Sequence, residues 1–169
     1  MILKRLLKIC LFTSSLIVVT IIIPPISLGG INLTLQTLIV MLCGLMLAPS
    51  DAFSAMGLYL LLGGMGLPIF SGMQGGVSVF LGPTGGFLLA FPIASFLISL
   101  TTKNKKTFSI FFFLLLFGII FIYLCGAGML SLYFKTNYFS SLLSLVVFIP
   151  FDIVKTIIAF MIFKRIKHL

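Results

Sequence analysis

Apolar positions along this chain do not alternate with polar ones; they run on for a helix length and then stop at prolines, glycines or lysines. Runs of that length have the size of a membrane-crossing helix, about 20 residues for an apolar layer about 30 Å thick. Spans are expected at Leu6 to Ile23, Leu33 to Leu47, Ala52 to Leu67, Gly85 to Leu100 and Phe108 to Gly126, with a last one ending near Phe163. The breaks between them have physical causes. Pro24, Pro25, Gly29 and Gly30 end the first run, and Pro49 with Ser50 and Asp51 makes a tight link where Ser50 or Asp51 is expected to cap a helix start. The pattern predicts an all-α membrane protein of six transmembrane helices in one domain, residues 1–169.

Composition agrees: 61% of residues are hydrophobic, 8% are charged, and the mean hydropathy is +1.36. Such a surface needs lipid rather than water around it. The net charge of +9 comes from 11 Lys and Arg against 2 acidic residues. Most of the bases fall in tight groups at Lys4, Arg5 and Lys8, at Lys103, Lys105 and Lys106, and at Lys164, Arg165 and Lys167. An even number of spans puts all of these on one side with the Pro49 link, which the positive-inside rule makes the cytoplasm. The bend at Ile23 to Asn32, the segment Leu67 to Thr84 and the stretch Ala127 to Ser140 are then expected to face outward. A basic stripe with interleaved aromatics is missing, so a nucleic-acid partner is excluded. The basic and apolar amino terminus runs to Pro24 without a small-x-small cleavage site, so it is expected to stay as a span.

Two stretches depart from the plain pattern. Gly63 to Gly86 holds nine glycines and two prolines, too broken for one helix, and its backbone cannot face lipid. It is expected to lie in the interface or to form a lid or pocket wall. Phe139 to Phe163 is apolar throughout but carries Pro150, and proline is tolerated best in a first helical turn. A short segment before Ile149 followed by a final helix from Pro150, short for a full span, is the expected arrangement.

Chemistry is sparse. Asp152 and Lys155 are the ionisable pair deep in apolar sequence, and their i, i+3 spacing places them on one helical face. They read either as a self-neutralising ion pair or as a ligand or ion site. Asn32, Thr34, Gln36 and Thr37 cluster at the start of the second span, but the i, i+2 spacing of Thr34 and Gln36 predicts that not all of them line one cavity. Cys10, Cys43 and Cys125 stand singly without metal-ligand spacing, His168 lies at the far end of the chain, and no carboxylate pair suggests acid and base roles. The chain is therefore expected to be no enzyme, to bind no metal or cofactor, and, lacking a G-x-x-x-x-G-K-[ST] loop, to draw any energy from a partner or a gradient.

The strings LTLQTL at Leu33 to Leu38, YLLLGGMGLPIF at Tyr59 to Phe70, GPTGGF at Gly82 to Phe87 and FIPFDIVK at Phe148 to Lys155 resemble, in order and spacing, the BioY family. That family consists of biotin-binding S-components of energy-coupling factor (ECF) transporters, in the cytoplasmic membrane of bacteria. The resemblance implies a six-helix S-component with cytoplasmic termini and an outward pocket for one biotin, energised by a T-component and a pair of ABC ATPases. It carries binding roles to Asp152, which could accept from the ureido N–H groups, and to Lys155, which could neutralise Asp152 or reach the valerate carboxylate. Beside them, Thr34 and Gln36 are candidates from the second span, the Gln36 amide offering donor and acceptor to a ligand or else an interhelical hydrogen bond. Further candidates are Tyr59 in the third span, Phe70, Gln74, Thr84 and Gly85 in the glycine-rich stretch, and Phe151 of the last helix, expected to narrow the pocket or stack on the ligand. The chain departs from the family pattern at Asn32, where proline usually precedes Leu33 and Thr34, at Phe151, where glycine is usual, and at Ser50-Asp51-Ala52, where a basic residue and glycine are usual. Cys10 and Ser14, at small-xxx-small spacing, are candidates for the docking face. The competing readings are an S-component for another small vitamin and a structural membrane subunit with no outward pocket.

Overall fold

The computed structural model describes residues 2–28, 31–103 and 105–167; His168 lies outside them. Helix α1 (Ile2–Ile22) leads into a short antiparallel ribbon, β1 (Ile26–Leu28) and β2 (Ile31–Leu33), paired Ile26 to Leu33. This ribbon occupies the bend after the first span. Then come α2 (Gln36–Met46), α3 (Pro49–Gly64) and α4 (Gly85–Thr102). The next rod is continuous from Thr107 to Phe134: α5 (Thr107–Leu115), one π-helical turn at Leu116–Ile120, and α6 (Phe121–Phe134). The last rod comprises α7 (Tyr138–Ser144), a 3-10 turn at Leu145–Phe148, and α8 (Ile149–Lys167).

Six helical rods result, four of them long and apolar enough to cross a membrane: α1, α4, Thr107–Phe134 and Tyr138–Lys167. The break before Pro150 and the restart of the helix there match expectation. Two expectations are corrected. The fifth span does not end at Gly126: α6 continues to Phe134, because a single glycine, Gly128, is tolerated inside a helix, and the link is only residues 135–137, with Lys135 in the left-handed region. The final helix is 19 residues, hence about 28 Å long, and is not short for a span.

Lipid gives apolar side chains no reason to leave it, so helices in a membrane associate through close backbone approach and interhelical hydrogen bonds. Both are present. Gly44 of α2 sits against Ile98 and the Ser95 carbonyl of α4, Gly118 against Met41, and Gly86 of α4 against the Cys125 carbonyl of α6. Across helices, Thr13 Oγ1 donates to Ala55 O (2.8 Å), Ser95 Oγ to Ala52 O (3.2 Å) and Ser99 Oγ to Leu47 O (2.6 Å). Helix α4 is central, packed on α2, α3 and α6.

The two ends of the bundle differ. Arg5 bonds Asp51 (Nη2 to Oδ1, 2.6 Å) and Ser50 (3.2 Å), joining the start of α1 to the α2–α3 link. Asp51 is thus an ion-pair partner and not the expected cap: Ala48 precedes α3 with no side-chain cap, and Pro49 opens it. Ser99 brings the end of α4 to that link, and Phe111 packs edge-on to Phe160 at 6.0 Å, setting α5 beside the second half of α8. All three basic groups therefore gather at one end.

The glycine-rich segment closes the opposite end and is packed, not loose. Phe70 is 1% exposed, edge-on to Tyr59 (5.3 Å) and Phe80 (5.5 Å), with its ring over Gly63. Phe70 and Gln74 exchange backbone hydrogen bonds around a turn in which Gly72 takes φ +74°, and Gly76 N donates to Gly63 O at 2.7 Å.

Candidate functional site

At the end away from the basic groups a cavity opens between β2, α2, α4, α6 and α8. Its polar wall begins at α8. Pro150 lies in the first turn of that helix, where its missing N–H removes no hydrogen bond, and Asp152 follows in the same turn. The i, i+3 register turns Lys155 to the same side, and Lys155 Nζ meets Asp152 Oδ1 at 2.7 Å, with the two side chains 7% and 5% exposed. Asp152 also accepts from Thr37 Oγ1 (3.1 Å) and from the Tyr123 hydroxyl of α6. Lys155 spends its other protons on the Thr34 carbonyl (2.6 Å) and Thr37 Oγ1 (3.4 Å). Each charge is thereby compensated in a place where an isolated one would cost several kcal/mol.

On the facing side Gln36 opens α2. Its Nε2 donates to Tyr59 OH (2.7 Å) and Thr20 Oγ1 (3.3 Å), and Thr34 Oγ1 donates to its Oε1 (3.2 Å). Asn32 Nδ2 reaches Ser71 Oγ at 3.1 Å, tying the ribbon to the glycine-rich segment across the cavity mouth. Phe87, Leu88 and Phe91 of α4, with Leu145 and Phe148 before α8, complete an apolar wall. The arrangement suits a small ligand with an apolar body and a few hydrogen-bonding groups, which the polar side chains would orient.

Of the residues singled out in the sequence, Thr34, Gln36, Thr84, Asp152 and Lys155 line this cavity. Asn32 and Thr37 line it as well, so all four polar residues of that cluster share one cavity, against expectation. The reason is local: α2 begins only at Gln36, and Asn32 and Thr34 lie in strand and turn, where helical phase does not apply. The other five do not line it. Tyr59 and Phe70 are buried behind it, Gln74 borders a separate groove with Ser78 and Tyr133, and Gly85 is pressed against the Phe80 carbonyl. Phe151 is 49% exposed and turned out of the cavity, since its neighbour Asp152 takes the inward face. Tyr123, Ser71 and the phenylalanines escaped notice. Tyr123 had one signal in the sequence, as a hydroxyl within an apolar span that could reach a buried carboxylate.

Comparison with known proteins agrees with this geometry. The profile of the BioY family matches residues 1–169, the whole chain. The chain belongs to the BioY family. It is 34% identical over 166 residues to the biotin transporter BioY of Thermotoga maritima, covering 98% of this chain and 97% of that protein. It is 38% identical over 141 residues to a probable biotin transporter BioY of Bacillus subtilis, covering 80% and 76%. Among solved structures it matches the S-component for biotin from an ECF-type ABC transporter with a TM-score of 0.92 and 32% identity, over 99% of this chain and 92% of that one. The fold is thus that of an S-component, and the chain, as a member of a family of transporter substrate-binding components, is a multi-pass membrane protein and not an enzyme.

Proposed function

We propose that this chain captures biotin in the cavity between α2, α4, α6 and α8 and delivers it across the membrane as the S-component of an ECF transporter. The observation that carries the reading is the buried constellation of Asp152, Lys155, Tyr123, Thr37 and Gln36 beside an apolar wall, in a chain whose relatives are biotin transporters. Biotin presents two urea N–H donors and one carbonyl on a fused ring, an apolar thioether edge and a flexible carboxylate. Asp152 supplies a carboxylate acceptor, Lys155 a cation, and Phe87, Phe91 and Phe148 supply surface for the ring system. A carboxylate reaching Lys155 would replace one of the three oxygens that Nζ now holds.

Energy comes, in this reading, from a T-component and a pair of ABC ATPases. The exposed face of α1 that holds Cys10 and Ser14 offers small side chains for a helix to approach. The test is equilibrium binding of biotin to detergent-purified protein, with riboflavin and thiamine as controls. Saturable binding of biotin alone is expected; a folded protein that takes none of it, or takes a control instead, overturns the reading.

A further inference from the structure

The carboxamide of Gln36 has two possible orientations, and the protons around it select one. Tyr59 O–H donates to the Ile69 carbonyl at 2.9 Å, and among the described residues no backbone N–H reaches that buried oxygen. Thr20 O–H donates to the Leu16 carbonyl at 2.7 Å. Each hydroxyl has one proton. With both spent on carbonyls, the Tyr59 and Thr20 oxygens can only accept, so Gln36 must turn its NH₂ to them, and both its protons are then used. Neither Tyr59 nor Thr20 lines the cavity, whereas Thr34, the donor to Oε1, does. A carbonyl oxygen has two lone pairs; Thr34 takes one.

We propose that Gln36 serves the cavity as a hydrogen-bond acceptor only, held in that sense by Tyr59 and Thr20 as positioning residues, and that its free lone pair receives one urea N–H of the ligand. The recognition step rests on the biotin reading; the polarity of the amide does not. Reversing the amide would strand the Ile69 carbonyl, which burial makes costly. The site is thereby tuned against ligands that present an acceptor at this point, because two oxygens would face each other across Gln36.

Two measurements test it. In protein labelled with ¹⁵N-glutamine and held in nanodiscs, both side-chain N–H signals of Gln36 should exchange slowly with solvent, and Tyr59→Phe should speed exchange at one of them. Unprotected signals in the wild type, or no change in Tyr59→Phe, overturn the polarity whatever the ligand is. The second is a cycle between protein and ligand, using biotin and its two ring N-methyl analogues against wild type and Gln36→Leu. Loss of one charge-free hydrogen bond to a buried partner predicts roughly a five- to hundredfold weaker binding of biotin by Gln36→Leu. One of the two analogues should be nearly indifferent to that substitution. If both lose as much as biotin does, Gln36 does not receive a urea N–H. Tyr59→Phe keeps the acceptor atom but frees the amide, so it should shrink the discrimination between biotin and the indifferent analogue, which a purely structural defect would leave intact. A protein with protected Gln36 signals that binds no biotin at all would refute the biotin reading and, with it, the urea step, while leaving the amide's polarity standing.

Discussion

Asp152 shows how one residue can be structural and functional at once. It is held by Lys155, Thr37 and Tyr123, yet it faces the cavity. Removing its charge should leave Lys155 as a lone buried cation, a loss of about 3–5 kcal/mol. Asp152→Asn is therefore expected to lower the thermal midpoint of the detergent-purified protein markedly and to abolish biotin binding. Pairing it with Lys155→Met removes both charges and should recover most of the stability without the binding. Recovery of both would mean the pair only supports the fold. Tyr123→Phe removes one hydrogen bond to the carboxylate, worth about 1.5–3 kcal/mol for a charged acceptor, and is expected to weaken biotin at least tenfold in the same titration while the protein stays folded. The i, i+3 pair was legible because intramembrane charge is rare and the spacing is fixed by the helix. Its partners were not, since Tyr123 and Thr37 reach Asp152 from other helices, and only packing puts them there.

At the scale of elements, the runs of apolar residues located every rod, because the membrane leaves helix as the natural way to satisfy the backbone. Ends were harder. Continuation of α6 to Phe134 was missed for lack of a breaker to mark either choice, and the ribbon at Ile26 to Leu33 was missed because its strands are three residues each. The glycine-rich segment was recognised as unusual, but its anchoring through Phe70 depends on three aromatic rings brought together by folding. Glycines test this level directly. Gly86 lies where α4 and α6 touch, and a methyl group there would strike the Cys125 carbonyl. Gly86→Ala should therefore destabilise by about 1–3 kcal/mol through overpacking. Gly57 sits within α3 with nothing within 4 Å of the added carbon, so Gly57→Ala should stabilise by about 1 kcal/mol through helix propensity. Opposite shifts in the thermal midpoints of the two variants are the expected outcome; equal shifts would mean that the α4–α6 contact yields freely.

Over the whole molecule, polarity is the property that joins fold to transport. The basic groups and the Arg5–Asp51 pair occupy one end, and the cavity, its Asn32–Ser71 bridge and the glycine-rich closure occupy the other. A cavity meant for capture must open away from the cytoplasm, and a Lys- and Arg-rich end is retained on the cytoplasmic side during insertion. Both arguments orient the bundle the same way, although they rest on different residues. Ser78 and Lys105 are exposed at the two ends and make suitable reporters, whereas Ser71 is buried against Asn32 and would respond to packing rather than to sidedness. With Cys10, Cys43 and Cys125 replaced, a cysteine at Ser78 should react in intact cells with a membrane-impermeant maleimide. A cysteine at Lys105 should react only after the cells are opened. The reverse pattern would place the cavity on the cytoplasmic side, where it could release a ligand but not capture one from outside. Labelling of both positions in intact cells would break the link between the basic groups and the cytoplasm on which the orientation depends.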